Sequence, residues 1–183
     1  GAVPVYPLNA VGGVLAKYYP SGGVPITTLI DALPSQPGFI EVLPTLRVDS
    51  VSGKIGGSPY TANAVVSLKA DYTVTATGTY QFLLSGGTAT RFLLQGAPVT
   101  GAVALSPGNY PLEARFALPG VNSLPAQVLV SFNGGAATNI AGTVLHHDET
   151  LAPPFINSIT PSSGSPLGGD SILISGFGFF PTD

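Results

Sequence analysis

Four consecutive side chains, His146-His147-Asp148-Glu149, form the densest group in this sequence able to do chemistry. Imidazole nitrogens and carboxylates ligate metals and carry protons. Neighbouring residues on a strand point to opposite faces, so the two histidines are badly placed to share one ion. The run is expected to be the solvated start of a linker. Two carboxylate pairs, Asp49 with Asp71 or Glu41 with Glu113, could flank a glycosidic bond as acid and base, but nothing local supports either pairing. Lys54 lacks the first glycine and the Ser/Thr of a phosphate-binding loop, and no G-x-S-x-G elbow exists. Gly176-Phe177-Gly178 is followed by no third glycine and precedes no helix. With no cysteine, thiol catalysis, disulfides and cysteine-ligated metals are excluded. No catalytic residue, metal site or cofactor is expected, and the chain is read as a non-enzyme.

Six tyrosines, Tyr18, Tyr19, Tyr60, Tyr72, Tyr80 and Tyr110, could include a stacking platform for sugars. Most fall at alternating strand positions, so packing in the core or at its rim is the favoured reading.

The elements that would position these residues are strands. Apolar residues make up 44% of the 183 residues, enough for a packed core, while 24 glycines and 18 prolines punctuate the chain and leave helices almost nowhere to form. The longest stretch free of both runs from Tyr60 to Thr77 and is rich in β-branched residues. Only 8% of residues are charged, about a third of the usual ~25%, which suits a surface packed on partners or sugars. The net charge is −3, and the six basic residues are scattered singly, so the basic patch of a nucleic-acid binder is missing. No apolar run reaches the ~18 residues of a membrane-spanning helix. The chain begins at Gly1 without methionine, as expected of a mature or excised segment. It has no N-x-S/T acceptor for N-glycans.

Strands are predicted at Val14 to Tyr19, Thr45 to Val51, Ala64 to Val74, Val103 to Leu105, Tyr110 to Leu118 and Gln127 to Phe132. Val3, Val5 and Leu8 could add an edge strand. Val24 to Pro44, interrupted by four prolines, is expected to be a surface excursion with little regular pairing. Gly78 to Val99 reads as a hairpin. Tyr80, Phe82 and Leu84 alternate with Thr79, Gln81 and Leu83, Ser85-Gly86-Gly87-Thr88 supplies the turn, and Phe92 and Leu94 resume the alternation. With Leu83 and Leu93 opposite the aromatic set, both faces are apolar, and the hairpin is expected mid-sandwich, covered on both sides. The fold class is all-β: an antiparallel β-sandwich, plus the first strands of a second, immunoglobulin-like sandwich after the stiff Pro153-Pro154.

Two family resemblances refine this. Val14-Leu15-Ala16-Lys17-Tyr18-Tyr19, Gly78-Thr79-Tyr80-Gln81-Phe82, Arg91-Phe92-Leu93-Leu94-Gln95-Gly96 and Leu105-Ser106-Pro107-Gly108-Asn109-Tyr110 occur in the order of the motifs of the protective-antigen-type ("PA-fourteen") domain, which the segment resembles. Pro154-Phe155-Ile156-Asn157-Ser158-Ile159-Thr160-Pro161-Ser162-Ser163-Gly164, then Gly168-Gly169-Asp170-Ser171-Ile172-Leu173-Ile174-Ser175-Gly176-Phe177-Gly178-Phe179, resembles the opening third of an IPT/TIG domain. The implied layout is a lead-in at 1–11, a protective-antigen-like sandwich at 12–148, a linker at 149–154 and an incomplete IPT/TIG domain at 155–183, within a longer parent chain.

Sugar-binding members of the first family hold calcium with two successive aspartates in the loop after G-T-Y-x-F. The matching positions here are Gly86 and Gly87, and Gln95 stands where another aspartate is common. The loop Ser85, Gly86, Gly87 and Thr88 is the one ligand-binding candidate, and its favoured reading is a tight turn that uses the freedom of glycine at positive φ. The expected function is a non-catalytic structural or interaction module of a larger extracellular, cell-surface or filament-forming glycoprotein, such as an algal wall or flagellar-hair component. Its partners would be other modules or copies of the parent protein, and glycans, with no nucleic acid and no membrane insertion. The alternatives are an adhesin or lectin without the usual calcium-binding aspartate pair, and a glycosidase accessory domain.

Overall fold

The stretch free of glycine and proline contains a thirteen-residue strand, Ala62–Val74, which lies along an equally long partner, Gly108–Gly120. β-branched and aromatic residues suit a pleated surface, and here they alternate between two buried sides. The computed structural model describes residues 10–148, 154–164, 168–169, 171–177 and 179. In chain order the strands are β1 (Ala10–Gly12), β2 (Val14–Pro20), β3 (Phe39–Leu43), β4 (Arg47–Val48), β5 (Ser50–Val51), β6 (Lys54–Ile55), β7 (Ala62–Val74), β8 (Gly78–Ser85), β9 (Ala89–Leu94), β10 (Ala97–Pro98), β11 (Ala102–Leu105), β12 (Gly108–Gly120), β13 (Ala126–Phe132), β14 (Thr138–Asn139), β15 (Leu145–Asp148), β16 (Phe155–Thr160) and β17 (Leu173–Phe177).

They form an antiparallel β-sandwich. One sheet runs β1-β15-β7-β12-β9-β10, with β2 sharing the β7 edge and β3 pairing outside β2. The other runs β11-β8-β13-β14, with β4 also on β13. Tyr18, Val66, Leu68, Phe116 and Phe92 from the first sheet meet Tyr80 and Val128 from the second, and Phe82 stacks on Phe92 with ring centroids 4.7 Å apart. Tyr18, Tyr19, Tyr72 and Tyr80 are all buried, in line with the packing reading of the tyrosines.

The hairpin expected from Gly78 to Val99 is not a hairpin. β8 pairs with β11 and β13, whereas β9 pairs with β12 and β10 in the opposite sheet. Ser85–Thr88 is therefore an arch from one sheet to the other. The inward alternation was legible, but a period of two does not reveal which strand supplies the hydrogen bonds. Nor are both faces covered: Leu83 points outward and is 38% exposed.

Three further expectations need correcting. The Val24–Pro44 excursion contains a one-turn helix, α1 (Ile26–Leu29), and the strand β3. Leu29 and Ile30 settle on Tyr19, Val65 and Ala117, covering part of the outer face of the larger sheet. The strand expected over Thr45–Val51 is broken into β4 and β5, the second pairing with β6 in a small separate hairpin. His146, His147 and Asp148 are not a solvated linker start: they lie in β15, between β7 and β1, and His147 is buried. The strand β1 supplies part of this pairing, and its Ala10 and Val11 come from the expected lead-in. Residues 1–9, with Val3, Val5 and Leu8, fall outside the described residues, as do Glu149 and most of the expected linker.

Candidate functional site

The arch is the site singled out by sequence. Gly86 and Gly87 both have left-handed backbones, φ +89° and +72°. A Cβ on Gly86 would collide with the Pro125 carbonyl oxygen and sit 2.7 Å from the Ala126 Cα; one on Gly87 would sit 2.8 Å from the Ala117 carbonyl oxygen. The Gly87 N–H donates to the Ser123 carbonyl at 3.0 Å and the Thr88 N–H to that of Ala117 at 2.9 Å. These donors are spent on neighbouring backbone, and no carboxylate belongs to the arch. Calcium takes six to eight oxygen ligands with carboxylates among them. The arch as built joins the two sheets and presents no such set. Gln95 does not complete it, because it stands at the far end of β9, in the turn to β10, with φ +53°. Among the described residues no group of three or more His, Asp or Glu is placed to hold a metal ion.

The remaining carboxylates named from sequence are distributed among different partners. Glu41 accepts a short hydrogen bond from the buried Tyr18 hydroxyl and another from the Gly57 N–H at 3.0 Å. Burial, reinforced by that bond to Glu41, pushes the Tyr18 phenol far up. Asp49 is held by Arg47 at the surface. Lys54 is exposed on β6. Glu113 lies on the outer face of the larger sheet, where it accepts from Arg115 and Ser67, each at 2.7 Å, with Lys69 at 3.6 Å.

Burial alone would raise the Glu113 carboxyl. The hydrogen bonds from Arg115 and Ser67, with the charges of Lys69 and Arg115, outweigh it and hold the group below the ordinary 4.5. A depressed carboxylate contributes stability that is fully present above the unfolded value and is lost as pH falls through the folded one. Glu113→Gln is therefore expected to be less stable than wild type above about pH 4.5, with the difference vanishing at lower pH. Urea midpoints measured across that range check this.

Beside this network a cavity of about 220 Å³ is lined by Leu15, Lys17, Lys69, Asp71, Pro111 and Asp148, among others. Burial and the neighbouring Lys69 charge lower the Lys17 ammonium; burial and the Asp148 charge raise Asp71. Sequence reasoning missed this grouping. Its members come from β2, β7, β12 and β15, and only the register of four strands brings them together.

The sandwich has a PA14-like fold. The chain is similar to the crystal structure of the PA14 domain of the MpAFP antifreeze protein, with a TM-score of 0.58 at 14% identity, covering 80% of this chain and 96% of that one. It is also similar to an Epithelial Adhesin 9 A domain from Candida glabrata, in complex with Galb1-4GlcNAc (TM-score 0.53, 11% identity, 78% of this chain and 92% of that one). A third is the PA14 sugar-binding domain from an RTX adhesin (TM-score 0.50, 18% identity, 75% of this chain and 99% of that one). No protein-family model and no curated protein matches the chain. Among the described residues no helix is long and apolar enough to cross a membrane.

Proposed function

We propose that this chain is a non-catalytic extracellular interaction module of a larger multidomain cell-surface protein. It comprises a PA14-like sandwich followed by the opening hairpin of an IPT/TIG-type, immunoglobulin-like domain, whose modules pack on one another as in a wall or filament component. The observation that carries this reading is the arch at Gly86 and Gly87. At the position where the resembled sugar-binding domains keep an acidic pair, it offers no carboxylate and uses its backbone to join two sheets. The exposed apolar residues Ile172, Leu173 and Phe179 after the sandwich also suit a packed assembly. Sedimentation velocity over a wide concentration range tests the assembly role. Self-association that grows with concentration is expected; a chain that stays monomeric throughout removes it.

The cavity beside Glu113 favours a second reading, a glycan-binding module whose site is not at the arch. Two ammonium groups and two carboxylates around the apolar Leu15 and Pro111 supply the donors, acceptors and flat contact that a sugar ring uses. At about 220 Å³ it is below the usual ~300–1,000 Å³ of ligand pockets and suits one ring at most. Two of the similar structures are described as sugar-binding or sugar-bound, which supports the same reading. Weakened glycan binding by Lys17→Ala would favour it over pure assembly.

A further inference from the structure

We propose that Asn157 is a docking residue. Its primary amide takes the place of a neighbouring strand's peptide group on the open edge of β3, which seats the β16–β17 hairpin on the sandwich and closes that edge to strand addition by a second copy of this chain.

Among the described residues β3 pairs with β2 alone, so its other edge is open. In an antiparallel pair, alternate residues direct their N–H and C=O groups away from the partner strand. Ile40, opposite Lys17, is one of these, because both its backbone groups are engaged from outside the sheet. Its N–H donates to Asn157 Oδ1 at 3.3 Å, and its carbonyl accepts from Asn157 Nδ2 at 2.9 Å. A side-chain amide carries the same donor and acceptor as a peptide group, so one residue does locally what an added strand would do. Exposed edges are templates for pairing with other chains, and proteins close them by covering or interrupting them.

The hairpin is shaped for this contact. Its register shifts between Ile156, opposite Gly176, and Ser158, opposite Ser175, leaving Asn157 as the extra residue of a bulge. A bulge re-aims a side chain out of the regular alternation. Gly176 makes the bulge possible: a Cβ there would strike the Phe155 carbonyl oxygen and sit 2.8 Å from the Phe179 ring. Phe155 packs against Leu15 and Ile40 beside the amide, so an apolar contact and two hydrogen bonds hold the same spot. The hairpin thus sits at a set place on the sandwich, whatever lies in the connecting residues.

Amide hydrogen exchange on the full chain tests this, with Val42 as the internal reference. Val42 faces outward on the same edge, two residues beyond Ile40. In the wild type, the Ile40 amide is expected to exchange roughly tenfold more slowly than that of Val42, the protection one hydrogen bond affords locally. Asn157→Ala should bring Ile40 to the Val42 rate while leaving the β12 amides unchanged. Asn157→Asp, which keeps the acceptor and loses the donor, should fall between. Equal Ile40 and Val42 rates in the wild type, or Ile40 protection that survives Asn157→Ala, would overturn the docking role. In sedimentation, Asn157→Ala should self-associate beyond the wild-type level; no excess would overturn the closing of the edge.

Discussion

Gly86→Asp is expected to destabilise the protein by roughly 2–5 kcal/mol: about 1–2 for a side chain in the left-handed region and about 1–3 for overlap with packed neighbours. The overlapped atoms are the Pro125 carbonyl and the Ala126 Cα, which are backbone and cannot rotate away. Against a total stability of about 5–15 kcal/mol this is a large share. In a domain of this size it corresponds to a fall in Tm of roughly 4–20 °C. Gly134→Ala is the control: its φ is +73°, but nothing lies within 4 Å of the added Cβ, so only the conformational cost applies. The Gly86→Asp/Gly87→Asp double variant introduces an acidic pair into the arch. Added calcium is expected to leave its Tm low, because those side chains would point into packed backbone. Recovery of Tm with calcium would show instead that the arch keeps a metal-binding geometry.

Phe116→Ala should cost about 3–5 kcal/mol, the range for truncating a buried aromatic. Phe116 is fully buried, midway along β12 and opposite Val66. A lower urea midpoint with an unchanged slope is the expected signature. Leu83→Ala is the contrast. Leu83 carries the same apolar label in the sequence but faces outward, so its truncation should cost under about 1 kcal/mol. Equal losses at the two positions would mean that a partner or an undescribed segment covers the outer face of β8.

The difference between these residues shows what could be read from the chain. Alternation sorted the side chains of β8 and β9 into two faces, but apolar residues on both left the outward one unmarked. It could not say that β8 and β9 lie in opposite sheets, since a four-residue glycine loop serves a hairpin or an arch equally well. The polar run at His146 looked like a linker because composition was its only local signal; its place in the sheet comes from β7 and β1, both distant in sequence. Residue type alone announces left-handed backbone at Gly86 and Gly87, and both have it. Their packing against Pro125, Ala126 and Ala117 depends on contacts distant in sequence. The cavity at Lys17 and the amide at Asn157 had no local signature for the same reason. One needs four strands in register, and the other needs a bulge that only the paired hairpin reveals.

The central claim is that the arch between β8 and β9 is a structural joint and not a calcium-dependent sugar site. A glycan array probed with the purified chain, once with calcium and once with chelator, tests it most directly. The predicted result is that no glycan signal depends on calcium. Reproducible binding that requires calcium and disappears with chelator would contradict it.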